Sequence, residues 1–160
     1  MIKRFNKKGF TLIELLAVIV VLAIIMLLAV QAVLPQMEKA RKNAFVVEAN
    51  AAIEAAQNLI LTKQVSDPSF TVGTNCVTIA NLEKFGYYET NGKTQYKGYV
   101  KITRNATSDD KTGYSYSVYL TNGQYKVSGT TDKAKYGDVK VAGGTTDFTI
   151  ESGCTEITSE

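Results

Sequence analysis

The chain has 160 residues, a formal net charge of +3 and no histidine, which leaves room for one anchor segment and one globular domain but not for a second domain of typical size. Four of the 18 cations lie in the first nine residues, so the remainder carries 14 cations against 15 acids and is nearly neutral. Because the charges after residue 64 are scattered without a basic run, the sequence gives no strong nucleic-acid signal.

The N-terminus joins a basic leader directly to an apolar segment. Lys7 and Lys8 precede Gly9, and Phe10 opens a stretch dominated by apolar side chains. In an ordinary secretory signal the small-residue cleavage site follows the apolar region, which is then discarded. Here the small residue at the boundary, Gly9, comes first. A cut after Gly9 would remove residues 1–9 and leave Phe10 at the start of a retained helix.

This arrangement resembles the class III signal of the type IV pilin family, in which a short basic leader is followed by Gly, Phe and, a few residues later, Glu. Gly9, Phe10 and Glu14 match that pattern residue by residue. The resemblance implies that a prepilin peptidase cuts between Gly9 and Phe10 and methylates the new amino group of Phe10. It also implies the pilin fold and the assembly of many copies, by a pilus assembly machinery, into a homo-oligomeric helical filament.

The apolar segment is long enough to cross a membrane. Residues 15–30 are sixteen consecutive apolar side chains, and a helix over residues 10–34 would be about 37 Å long. The cations of the leader predict a cytoplasmic N-terminus, so the C-terminal part should lie outside. We therefore expect a single-pass protein of the inner or cytoplasmic membrane before assembly and, by the resemblance, an extracellular cell-surface pilus afterwards.

Glu14 is a carboxylate inside this apolar segment, where inserting it costs about 3 kcal/mol. It needs a cation, and no Lys or Arg lies between Phe10 and Glu38. Cleavage after Gly9 would create one, the α-amino group of Phe10, about one helical turn away. By resemblance to the pilins, Glu14 would neutralise the amino group of Phe10 on an adjacent subunit during assembly.

Residues 35–63 are predicted to continue as an amphipathic helix, because small and apolar side chains recur at spacings of three and four. A helix from about Thr11 to Leu61 would be about 75 Å long, so much of its apolar surface needs partners, most simply copies of the same chain. Pro35 predicts a kink or local melting. In many pilins the proline stands about four residues earlier, where Gln31 stands here, and a tolerated kink in a membrane helix is the simpler alternative.

Residues 64–160 are predicted to form an extracellular, β-rich head that begins with a turn at residues 66–69. The fold class is then α+β, with a long N-terminal helix packed on a C-terminal antiparallel β-sheet of three to five strands. The strongest local signal is Asn122-Gly123 between two alternating runs, which predicts a hairpin with a type I′ turn. The other predicted elements are strands at 77–79 and 96–103, a helical turn at 80–85, and a second hairpin that pairs 139–141 with 147–150.

Cys76 and Cys154 both fall in the part expected outside the membrane, where a disulfide persists. We expect them to be paired. The disulfide would then stabilise the folded head by about 4 to 5 kcal/mol, because it lowers the entropy of the unfolded chain. The alternative is two free thiols. Because no histidine is present, two cysteines alone cannot complete a zinc site.

Tyrosine is abundant, with nine residues of which eight lie between Tyr87 and Tyr125. An aromatic binding face is one interpretation, and half-buried strand positions with a solvated hydroxyl are the simpler one. No catalytic constellation is visible, so we expect no enzyme and no cofactor. Four acids could supply oxygen ligands to calcium, but their spacing fits no standard loop; they are Asp132, Asp138, Asp147 and Glu151.

These observations predict a structural subunit of a type IV pilus, used for adhesion, motility or DNA uptake. One alternative is a pseudopilin of a type II-like secretion or competence system. The other is a monomeric, membrane-anchored extracellular binding domain, which predicts no cleavage and tolerance of Glu14 replacement.

Overall fold

The computed structural model describes residues 10–67, 73–90, 96–104, 113–143 and 147–158. The chain divides into two compact units between Ala40 and Arg41. The N-terminal unit contains the apolar segment, and the C-terminal unit contains the sheet together with the later part of the long helix. The predicted leader and the second half of the predicted turn at 66–69 lie outside the described residues.

The N-terminal helix, α1, runs over Leu12–Ser66. Its alanine-rich second half has high helix propensity, and the helix ends about one turn later than predicted, where the Asp67 amide donates to the Lys63 carbonyl at 2.8 Å. Pro35 lies inside the helix, which is helical on both sides of it. The kink expected at Pro35 stays a prediction.

The sheet contains six strands among the described residues, in the order β5-β4-β3-β2-β1-β6. Neighbouring strands are antiparallel except β1 and β6, which are parallel. The prediction of three to five strands was too low because the edge strand β6 has two residues, too few to show an alternating pattern, whereas the strand predicted at 139–141 is present as β5. The bounds are β1 Thr74–Thr78, β2 Lys97–Arg104, β3 Tyr114–Thr121, β4 Tyr125–Thr131, β5 Lys140–Val141 and β6 Thr155–Glu156.

The main core lies between one face of this sheet and residues 45–60 of α1. Alternate strand residues point to this inner face, as the period of two requires. The α+β prediction of a long helix packed on a C-terminal sheet is therefore confirmed. The fully buried residues that form the core include Phe45, Ala49, Ala52, Ile53, Leu59 and Ile60 from the helix and Val77, Val100, Ile102, Val118, Leu120 and Val127 from the sheet.

A short helix, α2, runs over Ile79–Lys84, close to the helical turn predicted at 80–85. Thr78 is its N-cap, since its hydroxyl oxygen accepts a hydrogen bond from the Asn81 amide at 3.2 Å. The chain leaves the helix through Gly86, whose φ of 75° lies in the left-handed region. The strand predicted at 77–79 is shifted, because Ile79 belongs to α2.

The hairpin predicted at Asn122-Gly123 joins β3 to β4, but the type I′ turn was wrong. Gly123 has a φ of 84°, whereas Asn122 is not at positive φ. The Asn122 side chain instead accepts hydrogen bonds from the amides of Gln124 and Tyr125, at 3.0 and 2.8 Å. The turn therefore uses the Asn side chain as an acceptor rather than the left-handed backbone that the residue tolerates.

The second predicted hairpin was also wrong. Residues 140–141 form β5 against β4, but residues 147–150 form no strand. They lie on the face of the sheet opposite α1, which we call the outer face, where the Phe148 ring contacts the Tyr119 ring with centroids 5.9 Å apart. The local pattern of residues 147–150 suits an extended segment, and tertiary contacts decide whether such a segment pairs in a sheet or crosses it.

Candidate functional site

The N-terminal site is organised by Thr11 and Glu14 at the start of α1. The Glu14 carboxylate oxygen Oε2 accepts hydrogen bonds from the Thr11 amide and the Thr11 hydroxyl, both at 3.0 Å. In return the Glu14 amide donates to the Thr11 hydroxyl oxygen at 3.3 Å. This reciprocal pair is a capping box, which satisfies two backbone donors that the first turn of a helix leaves open.

The capping box was missed in the sequence, although its signal was present. A Thr followed three residues later by Glu, immediately before an apolar run, is the sequence signature of this motif. The capping box fixes the Glu14 carboxylate at the N-terminal end of the helix, beside the backbone of Thr11. Phe10 is the next residue along the chain, and Gly9 lies outside the described residues.

The apolar side chains of this unit are not covered by protein. Phe10 is 81% exposed and Leu22 is 59% exposed, and none of the most apolar stretch of α1 is buried. Within the described part of the chain, α1 is the helix that is long and apolar enough to cross a membrane by length and composition. An apolar surface of this extent on a soluble chain would be an interaction site, so lipid or other helices are needed to cover it.

The C-terminal unit is closed by the disulfide between Cys76 on β1 and Cys154, whose Cα atoms are 5.7 Å apart. Next to Cys154, β6 pairs with β1, and the Ile157 amide donates to the Cys76 carbonyl at 2.8 Å. Ile157 is buried in the main core. The C-terminal segment is therefore fixed to the sheet by a covalent bond, backbone pairing and an apolar anchor.

Residues 147–151 cover a second, smaller aromatic cluster on the outer face. The rings of Tyr99 and Tyr119 are stacked with centroids 4.7 Å apart, and Phe148 packs edge-on against Tyr119. Tyr99 is only 2% exposed and so departs from the half-buried strand position predicted for the tyrosines, whereas Tyr119 is half-buried. Burial raises the pKa of Tyr99 and of Tyr119, with the nearby Glu151 carboxylate as the next cause.

Lys101 and Glu151 join the C-terminal segment to β2 across the edge of this cluster. The Lys101 ammonium nitrogen lies 2.7 Å from the Glu151 carboxylate. The hydrogen bond from Lys101, followed by its charge, holds the pKa of Glu151 below its ordinary value, and the same contact raises the pKa of Lys101.

The four acids considered for calcium do not share a site. Each is engaged by its own neighbour, and within the described ranges no group of three or more His, Cys, Asp or Glu side chains could hold a metal ion. Asp132 and Asp138 accept from the amides of Tyr116 and Lys135, while Asp147 and Glu151 contact Lys97 and Lys101.

The comparisons with known proteins concern the N-terminal site. Residues 4–30 match the family model of the prokaryotic N-terminal methylation motif, the class III signal of type IV pilins. No curated protein and no solved structure matched the chain. In this motif, and in its long N-terminal helix on a mostly antiparallel sheet, the chain is similar to type IV pilins and pseudopilins.

Three coarser conclusions follow from that motif. It implies processing by a prepilin peptidase and assembly into a pilus or pseudopilus. The pilin family that carries this motif consists of structural proteins. Together with the exposed apolar helix, it fits a membrane-anchored precursor and a surface filament.

Proposed function

We propose that the chain is a structural subunit of a type IV pilus, inserted in the membrane as a precursor and cut between Gly9 and Phe10. The N-terminus of the precursor is cytoplasmic, and residues 64–160 form the extracellular head. The new amino group of Phe10 is methylated by the same peptidase. The main observation in support of the proposal is the fixed position of the Glu14 carboxylate, which accepts a hydrogen bond from the Thr11 amide inside the matched motif.

The capping box suggests how Glu14 is accommodated before assembly. In a single chain the carboxylate accepts two hydrogen bonds from Thr11, which offsets part of the cost of placing it among apolar residues. After cleavage, the amino group of Phe10 adds a positive charge at the same helix end. In the filament, we propose, Glu14 neutralises the Phe10 amine of a neighbouring subunit, and the apolar surface of residues 10–34 is covered by neighbouring helices.

The processing step has a direct test. N-terminal mass spectrometry of membrane and filament material should find a mature chain that begins with N-methylated Phe10. A bulkier residue at Gly9 should leave the precursor uncut in the membrane. Recovery of an intact Met1 from assembled material would contradict the proposal.

The assembly step is tested by separating the charge of Glu14 from its capping role. Glu14→Gln keeps a capping-box residue but removes the negative charge, whereas Thr11→Ala removes the cap hydroxyl and keeps the carboxylate. Loss of one partner of a buried charge pair costs about 3 to 5 kcal/mol. We therefore expect Glu14→Gln to be cleaved but not assembled, and Thr11→Ala to assemble.

Electron microscopy of sheared surface filaments is the measurement for both variants. The opposite pattern, with filaments from Glu14→Gln and none from Thr11→Ala, would assign Glu14 to helix capping alone. Normal function of both variants without cleavage would instead favour a monomeric, membrane-anchored binding domain. Short, periplasmic or cell-associated filaments with the same Glu14 dependence would favour a pseudopilin.

A further inference from the structure

Asn122 and Gly123 lie at the tip of the hairpin between β3 and β4, and their sequence is chemically reactive. The backbone nitrogen of a glycine that follows an asparagine can attack the side-chain amide carbon of that asparagine, because glycine has no side chain to hinder the approach. The new carbon-nitrogen bond closes a succinimide ring, and the side-chain nitrogen leaves as ammonia. Water then opens the ring at either carbonyl, which yields aspartate or isoaspartate.

The nucleophile of this reaction is engaged in the folded chain. The Gly123 amide donates a hydrogen bond to the Thr121 hydroxyl oxygen at 3.1 Å, and the Thr121 hydroxyl donates to the Tyr125 carbonyl at 3.0 Å. Because a hydroxyl has one proton and two lone pairs, the two bonds are compatible and fix its orientation. The Gly123 nitrogen must therefore give up its bond to Thr121 before it can lose its proton and attack.

The amide carbon under attack is fixed as well. The Asn122 side-chain oxygen accepts hydrogen bonds from the amides of Gln124 and Tyr125, at 3.0 and 2.8 Å, so rotation of this side chain acts against both bonds. An opposing effect exists, because two amides on a carbonyl oxygen stabilise the negative charge that develops there during attack. That stabilisation helps only a free nucleophile, and the Gly123 nitrogen is bonded to Thr121.

Buried contacts hold the turn closed from both of its strands. Thr121 and Tyr125 are each 3% exposed, and the Tyr125 side chain belongs to the main core. On the side of β5, the Ala142 amide donates to the Gln124 carbonyl at 2.9 Å. Because the turn is tied both to the core and to the neighbouring strand, its opening is a rare local event.

We propose that this turn suppresses deamidation of Asn122 in the folded chain, that the Thr121 hydroxyl is chiefly responsible, and that Asn122 becomes a modification site when the hairpin opens. The two products then differ. Aspartate keeps a side-chain oxygen that can accept from the Gln124 and Tyr125 amides, so the hairpin can close again. Isoaspartate adds a carbon to the backbone between residues 122 and 123 and so disturbs the register of β3 and β4. The inference concerns a single chain and goes beyond the proposed function.

The test follows deamidation of the full chain in a nonionic detergent at mildly alkaline pH, by peptide mass spectrometry with enzymatic detection of isoaspartate. The reference is the same chain unfolded in urea with reductant. Asn91-Gly92, which lies outside the described residues, is an internal standard for the unfolded chain, because it too is preceded by threonine. The two asparagines should react at similar rates there. Each of the three hydrogen bonds is worth a factor of about two to ten, so Asn122 should react about tenfold more slowly, or slower still, in the folded chain.

Two variants separate the Thr121 hydroxyl from the shape of the side chain. Thr121→Val keeps a branched residue at this buried strand position but removes the acceptor for the Gly123 amide. The Tyr125 carbonyl is still satisfied, because it accepts from the Asn122 amide at 3.2 Å. Thr121→Val should therefore fold and deamidate about two- to tenfold faster than the unmodified folded chain. Thr121→Ser retains the hydroxyl and should deamidate at close to the unmodified rate.

The matched control is Leu59→Ala, which weakens the main core and removes no hydrogen bond of the turn. Equal acceleration by Leu59→Ala and Thr121→Val would overturn the role of Thr121, since global unfolding would then expose Asn122. Deamidation of folded Asn122 at the unfolded rate would overturn the suppression. A faster rate in the folded chain would also overturn it and would show that the two amides on the side-chain oxygen activate the amide carbon.

The difference between the two products is measured by thermal unfolding. Asn122→Asp should keep the midpoint of the unmodified chain at neutral pH, because a carboxylate accepts the same two hydrogen bonds, whereas Asn122→Ala should lower it. Chains with isoaspartate at position 122, separated after incubation in urea, should refold with a lower midpoint than Asn122→Asp. Equal midpoints for the isoaspartate chains and Asn122→Asp would contradict the effect on strand register.

Discussion

The two units of the chain differ in the exposure of their large apolar side chains. In residues 10–40, large apolar residues are exposed, with Leu12 at 84%, whereas in residues 41–158 Leu59 is 1% exposed. The C-terminal unit completes its own core with a sheet, a disulfide and the later part of α1. In the described part of the N-terminal unit, residues 10–40, no such core is present, so its helix is stable only where lipid or other helices supply the missing contacts. The difference separates residues that specify a fold from residues that specify an assembly.

The largest effect is expected from removing the disulfide that closes the C-terminal unit. Replacing both Cys76 and Cys154 by Ser should lower the free energy of unfolding of that unit by about 4 to 5 kcal/mol, because the loop between them is long. Cleavage after Gly9 should be unaffected, since the processing signal lies in the other unit. Chemical unfolding of the full chain in detergent, with and without reductant, measures the change.

The internal control for this experiment is the effect of reductant itself. Reductant should destabilise the unmodified chain to the level of the double variant and leave the double variant unchanged. Equal midpoints for the oxidised and reduced unmodified chain, or two free thiols in exported protein, would contradict the role given to the disulfide.

The second prediction compares one leucine from each unit. Leu59→Ala leaves a cavity in the main core and should cost about 3 kcal/mol of unfolding free energy. Leu22→Ala removes the same atoms from an exposed position, 59% accessible, and should leave the unfolding of the C-terminal unit unchanged. Thermal unfolding followed by circular dichroism distinguishes them, and equal destabilisation by both variants would show that the two units are not independent.

A third, smaller effect concerns Asn50, which ties the connection between β4 and β5 to α1. Its side-chain oxygen accepts from the Ala134 amide at 2.7 Å, and its side-chain nitrogen donates to the Ala134 carbonyl at 3.2 Å. Because Ala134 is buried, Asn50→Ala should cost about 2 kcal/mol through two unsatisfied backbone groups. Asn58→Ala, at an exposed position of the same helix, should change little. If the Ala134 amide exchanges faster in Asn50→Ala but not in Asn58→Ala, the destabilisation is due to the lost hydrogen bonds to Ala134.

The smallest effect is a pH dependence of the contact between Lys101 and Glu151. The pKa of Glu151 is lowered in the folded chain, so its contribution to stability is present above the ordinary carboxyl pKa and is lost as the pH falls through the lowered value. Glu151→Gln should therefore narrow the difference in thermal midpoint between neutral and acidic pH. Lys101→Gln, which removes the partner of Glu151, should narrow the difference in thermal midpoint to a similar extent. No narrowing in either variant would contradict the assignment of this pH dependence to the contact between Lys101 and Glu151.

Local patterns predicted the helix and the central strands well. The repeat of small and apolar residues gave the long helix, and alternation gave β2, β3 and β4, because each pattern repeats over several residues. The strand predicted at 139–141 is present as β5, but the two-residue strand β6 and the course of residues 147–150 were not predictable in this way. Their conformation depends on contacts with residues distant in the chain, such as Tyr119 for Phe148.

The same limit applies to the candidate sites. Gly9, Phe10 and Glu14 were predicted from sequence because a processing signal is a short linear segment, and their roles stay predictions. The capping box of Thr11 and Glu14 could have been found in the same segment. Charge scattered along the chain suggested no basic surface. The register of the sheet nevertheless places Lys97, Lys126 and Lys140 at aligned positions on three strands.

The sequence by itself determined the N-terminal unit, whose basic leader, processing signal and apolar helix are properties of consecutive residues. Only the tertiary structure decided the outer face of the sheet. There Lys101 meets Glu151 fifty positions later, and Tyr99 stacks on Tyr119. The physical reason is that strand register, which sets these contacts, is fixed by the packing of the whole sheet on α1 and cannot be read from any one strand.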